Sequence, residues 1–495
     1  MKLGDEYTRA MSEQGIEFQG FALFKNNLKE ATKPTLLNLK NNDFYTGMIT
    51  GDNIDTAISI SKTCGLVDVK QEDIAICLYG SAKAPLTYTL INELGDQIGE
   101  IDPESRKNTG KKLVGAMDNK NFQKIQEDLG LDLNKPVNLK GSPVLVEIAE
   151  RVRIFARMNP SQKALIVKIF KEYYKDKHLA VGFCGDGAND CIALKHADIG
   201  VSLSKNEASL SAPFVSVVED ISCVEKISIE GKAALTTNYD CFRYFCLYSI
   251  IQTIGLVILF SQKTEYAIPM YLTMDIPLAL NVANCIGLLS TNPQLKKKMP
   301  KYTLLSAKFL LSILFNSLMT VGFFIFSIWL LRKDPTFVNA SDLVSSSIDS
   351  NIKTFESTII SLMAIQGTFH IGVSFNLKGE FKERFYRQPY FVISLVLYVA
   401  YQFYLVFNSR SFWPAVDNFL MDEYKFVVFG STSMKVYVMI LLFAYSASSI
   451  VMEALFIWVC VGRAKKEDRG LEPAGEKYTP VPRKLEYVDN PETAK

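Results

Sequence analysis

The chain has 495 residues, of which 48% are apolar and 21% charged, and 54 Lys+Arg against 52 Asp+Glu leave a net charge of +2. Those figures exclude a disordered chain, which combines low hydrophobicity with high net charge, and a nucleic-acid binder, which carries a basic excess. A mean hydropathy of +0.11 is high for a soluble protein with this many charges, so the average hides segregation: charges are spread evenly before about residue 240, and long apolar stretches follow.

The N-terminal MKLGDEYTRAMSEQG has neither the basic nor the apolar region of a signal peptide, so membrane insertion is expected to begin at the first internal apolar helix. Residues 1–225 alternate strand-like and helix-like segments, the pattern of a parallel sheet with helices on its faces. Predicted strands are 18–24 (FQGFALF), 44–50 (FYTGMIT), 178–184 (HLAVGFC), 198–203 (DIGVSL) and 213–218 (PFVSVV). In such sheets ligands sit at the carboxyl ends of strands, so the loops there are the places to look.

The loop after 44–50 reads Thr50-Gly51-Asp52-Asn53 and opens a helix, IDTAISISKTCG. Its hydroxyl and backbone N–H groups can hold a phosphoryl oxygen at a helix N-terminus, where the dipole favours negative charge. Thr, Asp and Asn are equally good helix N-caps, and both readings can hold at once. Further on, Arg157-Met158-Asn159-Pro160-Ser161-Gln162-Lys163 leads into the helical ALIVKIFKEYY. Lys163 falls in the first turns, where a cation opposes the dipole and is better explained by an anionic partner than by solvation; one lysine among many decides nothing alone. The loop after 178–184, Gly185-Asp186-Gly187-Ala188-Asn189-Asp190, interleaves two carboxylates and an amide with glycines that let the backbone turn sharply. That is a compact oxygen set suited to Mg²⁺. An ordinary Asp/Gly turn is the alternative, and the strand before the loop and the helix CIALKHA after it favour the metal.

A stalk helix over 226–240 is expected to lead into the membrane. A bilayer crossing needs about 20 mostly apolar residues, and six stretches qualify: 241–261, 268–289, 305–331, 356–375, 389–407 and 435–461. On the first, Tyr244, Tyr248 and Gln252 recur every four residues and share a face. On the second, Asp275 lies in an apolar run, an expensive placement that points to a pathway or a pairing role. Pro277 two residues later would free the Thr273 carbonyl and kink the helix. An aromatic and amide stripe opposite a carboxylate suits an elongated organic cation, although aromatic stripes also serve packing. His370 reads as a packing residue, and Glu453 as a group that snorkels or pairs.

The connections after the second and fourth stretches carry Lys296, Lys297, Lys298 and Lys301, then Lys378, Lys382, Arg384 and Arg387, so the soluble half, these connections and the tail are expected to be cytosolic. Asn339-Ala340-Ser341, in the third connection, is a glycosylation acceptor on the opposite side. Residues 462–495 read as a disordered cytosolic tail. Nine cysteines without paired or metal-ligand spacing read as reduced thiols.

Taken together, TGDN, RMNPSQK and CGDGANDCIALKHADIGVSLS, in this order and followed by membrane helices, resemble the phosphorylation domain of P-type ATPases. EASLSAPFVS (207–216) and FRYFCLYSIIQ (242–252) resemble the fifth class of that family, subtype B, the endolysosomal polyamine exporters. The resemblance implies a Rossmann-like α/β domain of the haloacid-dehalogenase type over 1–225, incomplete and beginning with a remnant of the nucleotide-binding domain, and an all-α bundle of six transmembrane helices over 241–461. It implies that Asp186 ligates Mg²⁺ with Asn189 and Asp190 completing and orienting the site, that Thr50 and Lys163 hold the phosphoryl group, and that Gly51 and Asp52 lie near the ATP. Tyr248, Gln252 and Asp275 match the family's substrate positions, but Ile276-Pro277 replaces its usual apolar branched run. The family's nucleophile is the Asp of a D-K-T-G motif, and the sequence contains none; Thr109-Gly110-Lys111 follows Lys107-Asn108. The expectation is the C-terminal part of a pump in a late endosomal, lysosomal or vacuolar membrane, inactive without the rest. Rival readings are an inorganic-cation pump and a non-catalytic membrane regulator.

Overall fold

The computed structural model describes residues 17, 20, 27–81, 85–92, 96–103, 111–177, 179–203, 207–298, 300, 307–344, 354–376, 381–407, 426–427 and 429–467. The predicted strand at 18–24 apart from Gly20, the Thr109-Gly110 pair and most of the tail lie outside them. The chain divides into two units, Met1–Gly231 with Pro293–Met299, and Lys232–Asn292 with Pro300–Lys495.

In the first unit the strands are β1 (Met48–Ile49), β2 (Glu72–Leu78), β3 (Thr87–Ile91), β4 (Gln97–Ile101), β5 (Lys112–Asp118), β6 (Val152–Ala156), β7 (Gly182–Gly185), β8 (Ile199–Ser202) and β9 (Phe214–Val215). They form two sheets rather than the single parallel sheet expected. The larger runs β1-β6-β5-β2-β3-β4, parallel from β1 to β2 and antiparallel at β3 and β4; the smaller, β7-β8-β9, is wholly parallel. The antiparallel part is a meander, which needs only short connections where a parallel pair needs a crossover. Among the described residues β1 pairs only with β6, and β7 only with β8.

Strand alternation builds a core on each face of the larger sheet. Ile154 and Ala156 of β6 join Val114, Ala116 and the helix Ile54–Thr63, whereas Phe155 and Met117 join Phe122, Leu145, Ile148 and Leu165 from the helices Asn119–Asp128, Pro143–Arg151 and Pro160–Lys175. The last of these starts where the sequence reading placed it. Pro160 occupies its first turn, and Asn159 and Gln162 close a reciprocal capping box, satisfying two otherwise orphaned N–H donors.

In the second unit, five helices among the described residues are long and apolar enough to cross a membrane, within Ser222–Ser261, Phe309–Leu331, Phe355–Phe375, Pro389–Phe407 and Thr432–Leu455. Six were expected. The remaining stretch is helical over 268–287 but broken into Ile268–Thr273, a π-helical turn Met274–Leu280 and Asn281–Gly287. Pro277 supplies no N–H to the Thr273 carbonyl, and the helix answers by widening rather than by a simple kink. Phe355–Phe375 is buried almost from end to end. Glycines let its neighbours approach: a Cβ on Gly367 would meet Tyr445 Oη at 2.9 Å, and one on Gly372 would meet Val282.

Among its described residues this unit also holds two buried ion pairs. Arg243 donates to both carboxylate oxygens of Glu453 (2.9 and 2.6 Å) and lies 3.8 Å over the Phe375 ring. Lys382, expected as a loop charge, is instead buried, donating to Asp240 (2.8 Å) and Asn376 (3.3 Å). Backbone pairing of the segment around Lys382 with Ser290–Asn292 holds it there.

Candidate functional site

The three loops singled out in the sequence converge in the first unit. Strand β1 delivers Thr50 and β6 delivers Arg157, and backbone bonds tie the two loops. Thr50 N–H donates to the Phe155 carbonyl (2.8 Å), Arg157 N–H to the Asp52 carbonyl (2.8 Å) and Met158 N–H to the Thr50 carbonyl (3.0 Å). Arg157 is held at φ 58°, a left-handed conformation uncommon outside glycine and often found at functional sites. The Thr50 hydroxyl donates to Asp52 Oδ2 (2.9 Å) and accepts from the Asp52 N–H (3.2 Å). Asn53 is the cap of the following helix, accepting from the Thr56 N–H (2.8 Å), so capping falls to Asn53 and leaves Thr50 and Gly51 outside the helix.

The third loop joins through a charge pair. Lys163 Nζ donates to Asp190 Oδ1 at 2.7 Å, both side chains being about nine-tenths buried. Lys163 thus has an anionic partner, as its opposition to the helix dipole suggested. Asp190 sits at the end of a short 3₁₀ turn, Ala188–Asp190, packed so closely under Gly185 that any Cβ there would meet its carboxylate. Asp186 and Asn189 are exposed beside it. One exposed carboxylate, an amide and the second oxygen of Asp190 are hard oxygen donors, and Mg²⁺ characteristically takes one or two carboxylates and keeps several waters, so this set fits it. Among the described residues no group of three His, Cys, Asp or Glu gathers as a ready cage. Cys184, immediately before the loop, has its thiol pushed up by a hydrogen bond with Cys223, then by burial and by the Asp186 and Asp190 carboxylates.

In the second unit Tyr248, Gln252 and Asp275 come together. The Tyr248 hydroxyl donates to Asp275 Oδ1, and Gln252 Nε2 lies 3.4 Å from Tyr248 Oη and 3.1 Å from Met274 Sδ. Gln252 Oε1 is buried with no partner among the described residues. Tyr244 packs one turn earlier, its hydroxyl 3.4 Å from the Ala279 carbonyl. Asp275 lies in the π-helical turn, a distortion frequent at functional sites because it frees backbone groups and re-aims side chains.

Comparison with known proteins points the same way. The chain is 30% identical over 432 residues to the human probable cation-transporting ATPase 13A4, covering 81% of this chain and 35% of that protein. It is 35% identical over 361 residues to the vacuolar cation-transporting ATPase YPK9 of Saccharomyces cerevisiae (71% and 24%), and 28% identical over 445 residues to the human polyamine-transporting ATPase 13A3 (82% and 34%). Its homologues are P-type ATPases of the 13A family. These P-type ATPases are ATP-hydrolysing transporters, and this chain spans a quarter to about a third of their length. No protein-family profile matches the chain. Sequence reading singled out the three loops but missed what fastens them: the stitches from Arg157 and Met158 are backbone bonds, which leave no mark in residue identity.

Proposed function

We propose that this chain is part of a P-type pump that passes the γ-phosphoryl group of ATP through an aspartyl ester and moves a polyamine cation out of an endolysosomal or vacuolar lumen. The observation that carries the reading is the Tyr248–Gln252–Asp275 constellation. A carboxylate bonded to a phenol, beside an amide with a spare acceptor, offers charge pairing and hydrogen bonds to an ammonium group, and aromatic faces to its methylene chain. The names of relatives support both halves of it: one is vacuolar and one transports polyamines.

In this reading the soluble unit does little covalent work. Phosphoryl transfer needs positioning and charge neutralisation: the Thr50 hydroxyl binds a phosphoryl oxygen, Lys163 neutralises charge, Gly51 and Asp52 face the nucleotide, and Asp186 with Asn189 and Asp190 would hold Mg²⁺. The bound metal would draw charge from the phosphoryl oxygens. The aspartyl nucleophile comes from outside these 495 residues, and β1 and β7, each paired on one side only among the described residues, are the strands between which its strand belongs. Six crossings, counting the divided 268–287 helix, would leave both ends of the membrane unit on one side, the cytosolic one by the basic connections after the second and fourth stretches.

The test is substrate-stimulated ATP hydrolysis by a protein that joins this chain to its nucleophile, comparing spermine with metal ions. Spermine is expected to stimulate, and Asp275→Asn to raise the half-stimulating spermine concentration about tenfold or more, the loss of one charge-assisted contact. Unchanged spermine stimulation in Asp275→Asn would remove the pocket; stimulation by metal ions alone would replace the polyamine with an inorganic cation.

A further inference from the structure

A groove of about 550 Å³ runs between the helices Phe309–Leu331 and Thr432–Leu455, apart from both sites described above. Met319, Gly322, Phe323 and Phe326 line one side, and Tyr437 and Ala444 belong to the other. Both helices are long and apolar enough to cross a bilayer, so the open side of the groove borders hydrocarbon. Gly322 leaves it deep, because a Cβ there would meet nothing within 4 Å.

From the groove an aromatic ladder climbs the first helix to its end. Phe326 stacks on Trp329 with centroids 5.3 Å apart, and Lys333 Nζ stands 3.7 Å from the centroid of the Trp329 ring. Leu330 lines the groove, and Lys333 follows it by about one turn. Lys333 and its neighbour Arg332 are exposed, and Arg332 donates to Gln262 Oε1 at 2.6 Å. The adjacent carboxylate, Asp334, is buried and accepts from the Thr336 N–H and hydroxyl (2.9 and 2.7 Å). This end of the groove therefore presents positive charge beside aromatic rings, a pairing suited to a phosphate at the membrane interface.

A further helix would fit the groove poorly. Helices approach one another in membranes over small residues, whereas Phe326, Tyr437 and Ile440 stand exposed along this groove and only Gly322 and Ala444 among its lining residues are small. One acyl chain is thin enough to lie between such side chains and gains dispersion contacts with them. The volume also lies within the range of ligand pockets, about 300 to 1,000 Å³.

We propose that this groove holds one acyl chain of a glycerophospholipid and that Lys333 binds its phosphate, fastening the lipid across the two helices. Phosphate and chain define the class; the remainder of the headgroup is not read. The inference rests on both helices spanning the membrane and is independent of the transported cation.

The full chain in nanodiscs can be photolabelled with a phosphatidylcholine bearing a diazirine at one acyl terminus, and the labelled peptides mapped by mass spectrometry. Labelling is expected to concentrate on 319–330 and 437–444, at least about tenfold above Ile393, Val396 and Leu397, which are exposed on the helix Pro389–Phe407. Gly322→Leu, whose side chain enters open space, should remove that excess. Lys333→Gln should lower it about tenfold, the loss of one charge-assisted contact. Unlabelled phosphatidylcholine should compete, and diacylglycerol should not. Equal labelling of the three segments would reduce the occupant to ordinary boundary lipid and overturn the proposal; equal competition by diacylglycerol would overturn the phosphate contact. Loss of the label in a dimer of the chain, or in a protein that joins the chain to its nucleophile, would assign the groove to protein instead. The wild-type map and the competition decide this even if a variant fails to fold.

Discussion

Lys163 and Asp190 exclude most water from each other's surroundings, so each depends on the other for its charge to be tolerated. Lys163→Met leaves the Asp190 carboxylate buried without its cation and is expected to cost about 3 kcal/mol, read as a lower thermal midpoint of the soluble unit in the intact chain. Adding Asp190→Asn should recover part of that loss, because the stranded charge is gone. Gly185→Ala makes a complementary case: a methyl group there meets the Asp190 carboxylate and must push it off Lys163, so it should mimic Lys163→Met without touching either charged residue. Melting of Gly185→Ala at the wild-type midpoint would contradict that geometry. At this scale the sequence was informative where chemistry resides in residue type. Thr50, Lys163 and Asp186 stand out by identity and position, while the left-handed Arg157 backbone carries no compositional sign.

Among the elements, the helix Ser222–Ser261 is fixed by charges buried in the membrane unit. Arg243 meets Glu453 from the last long helix with both oxygens engaged, and Ser312 of a third helix hydrogen-bonds the same group. Removing one partner of such a pair is costly, about 3–5 kcal/mol, whereas replacing both with apolar groups of similar volume is often neutral. Glu453→Ala should therefore destabilise the detergent-solubilised chain strongly, and Arg243→Met combined with Glu453→Leu much less; additive losses in that double-mutant cycle would show the pair to be uncoupled. Pattern reading recovered the long apolar helices because length and hydropathy suffice for them. It missed the division of 268–287, since a π-helical turn depends on which carbonyl finds a donor after Pro277. It also overlooked β2 to β6, whose short runs within a charged region do not distinguish a strand from a buried helical segment by periodicity.

At the scale of the whole molecule, the split of the α/β unit into two sheets has a functional consequence. Parallel strands bury both faces and their ladders, so the edges of β1 and β7 left unpaired among the described residues are costly unless another strand fills them. The 495 residues expressed alone should give no acid-stable phosphoenzyme with labelled ATP. Supplying a segment bearing D-K-T-G should restore labelling, and that labelling should disappear with Lys163→Met. Labelling of the chain alone would show that some other carboxylate serves as nucleophile.

The sequence by itself determined the division into a charged half and an apolar half, the three loops that converge, the start of the helix at Pro160 and the lone acid Asp275 within an apolar run. Each of these is written in composition or in short-range pattern, where propensity and hydropathy act residue by residue. Only the tertiary structure decided that β3 and β4 turn back antiparallel, that Lys163 spends its charge on Asp190, that Tyr248 reaches Asp275, and that Lys382 is buried. Those outcomes depend on pairings between residues far apart in the chain, and a pairing is set by the packing of whole elements rather than by either residue alone.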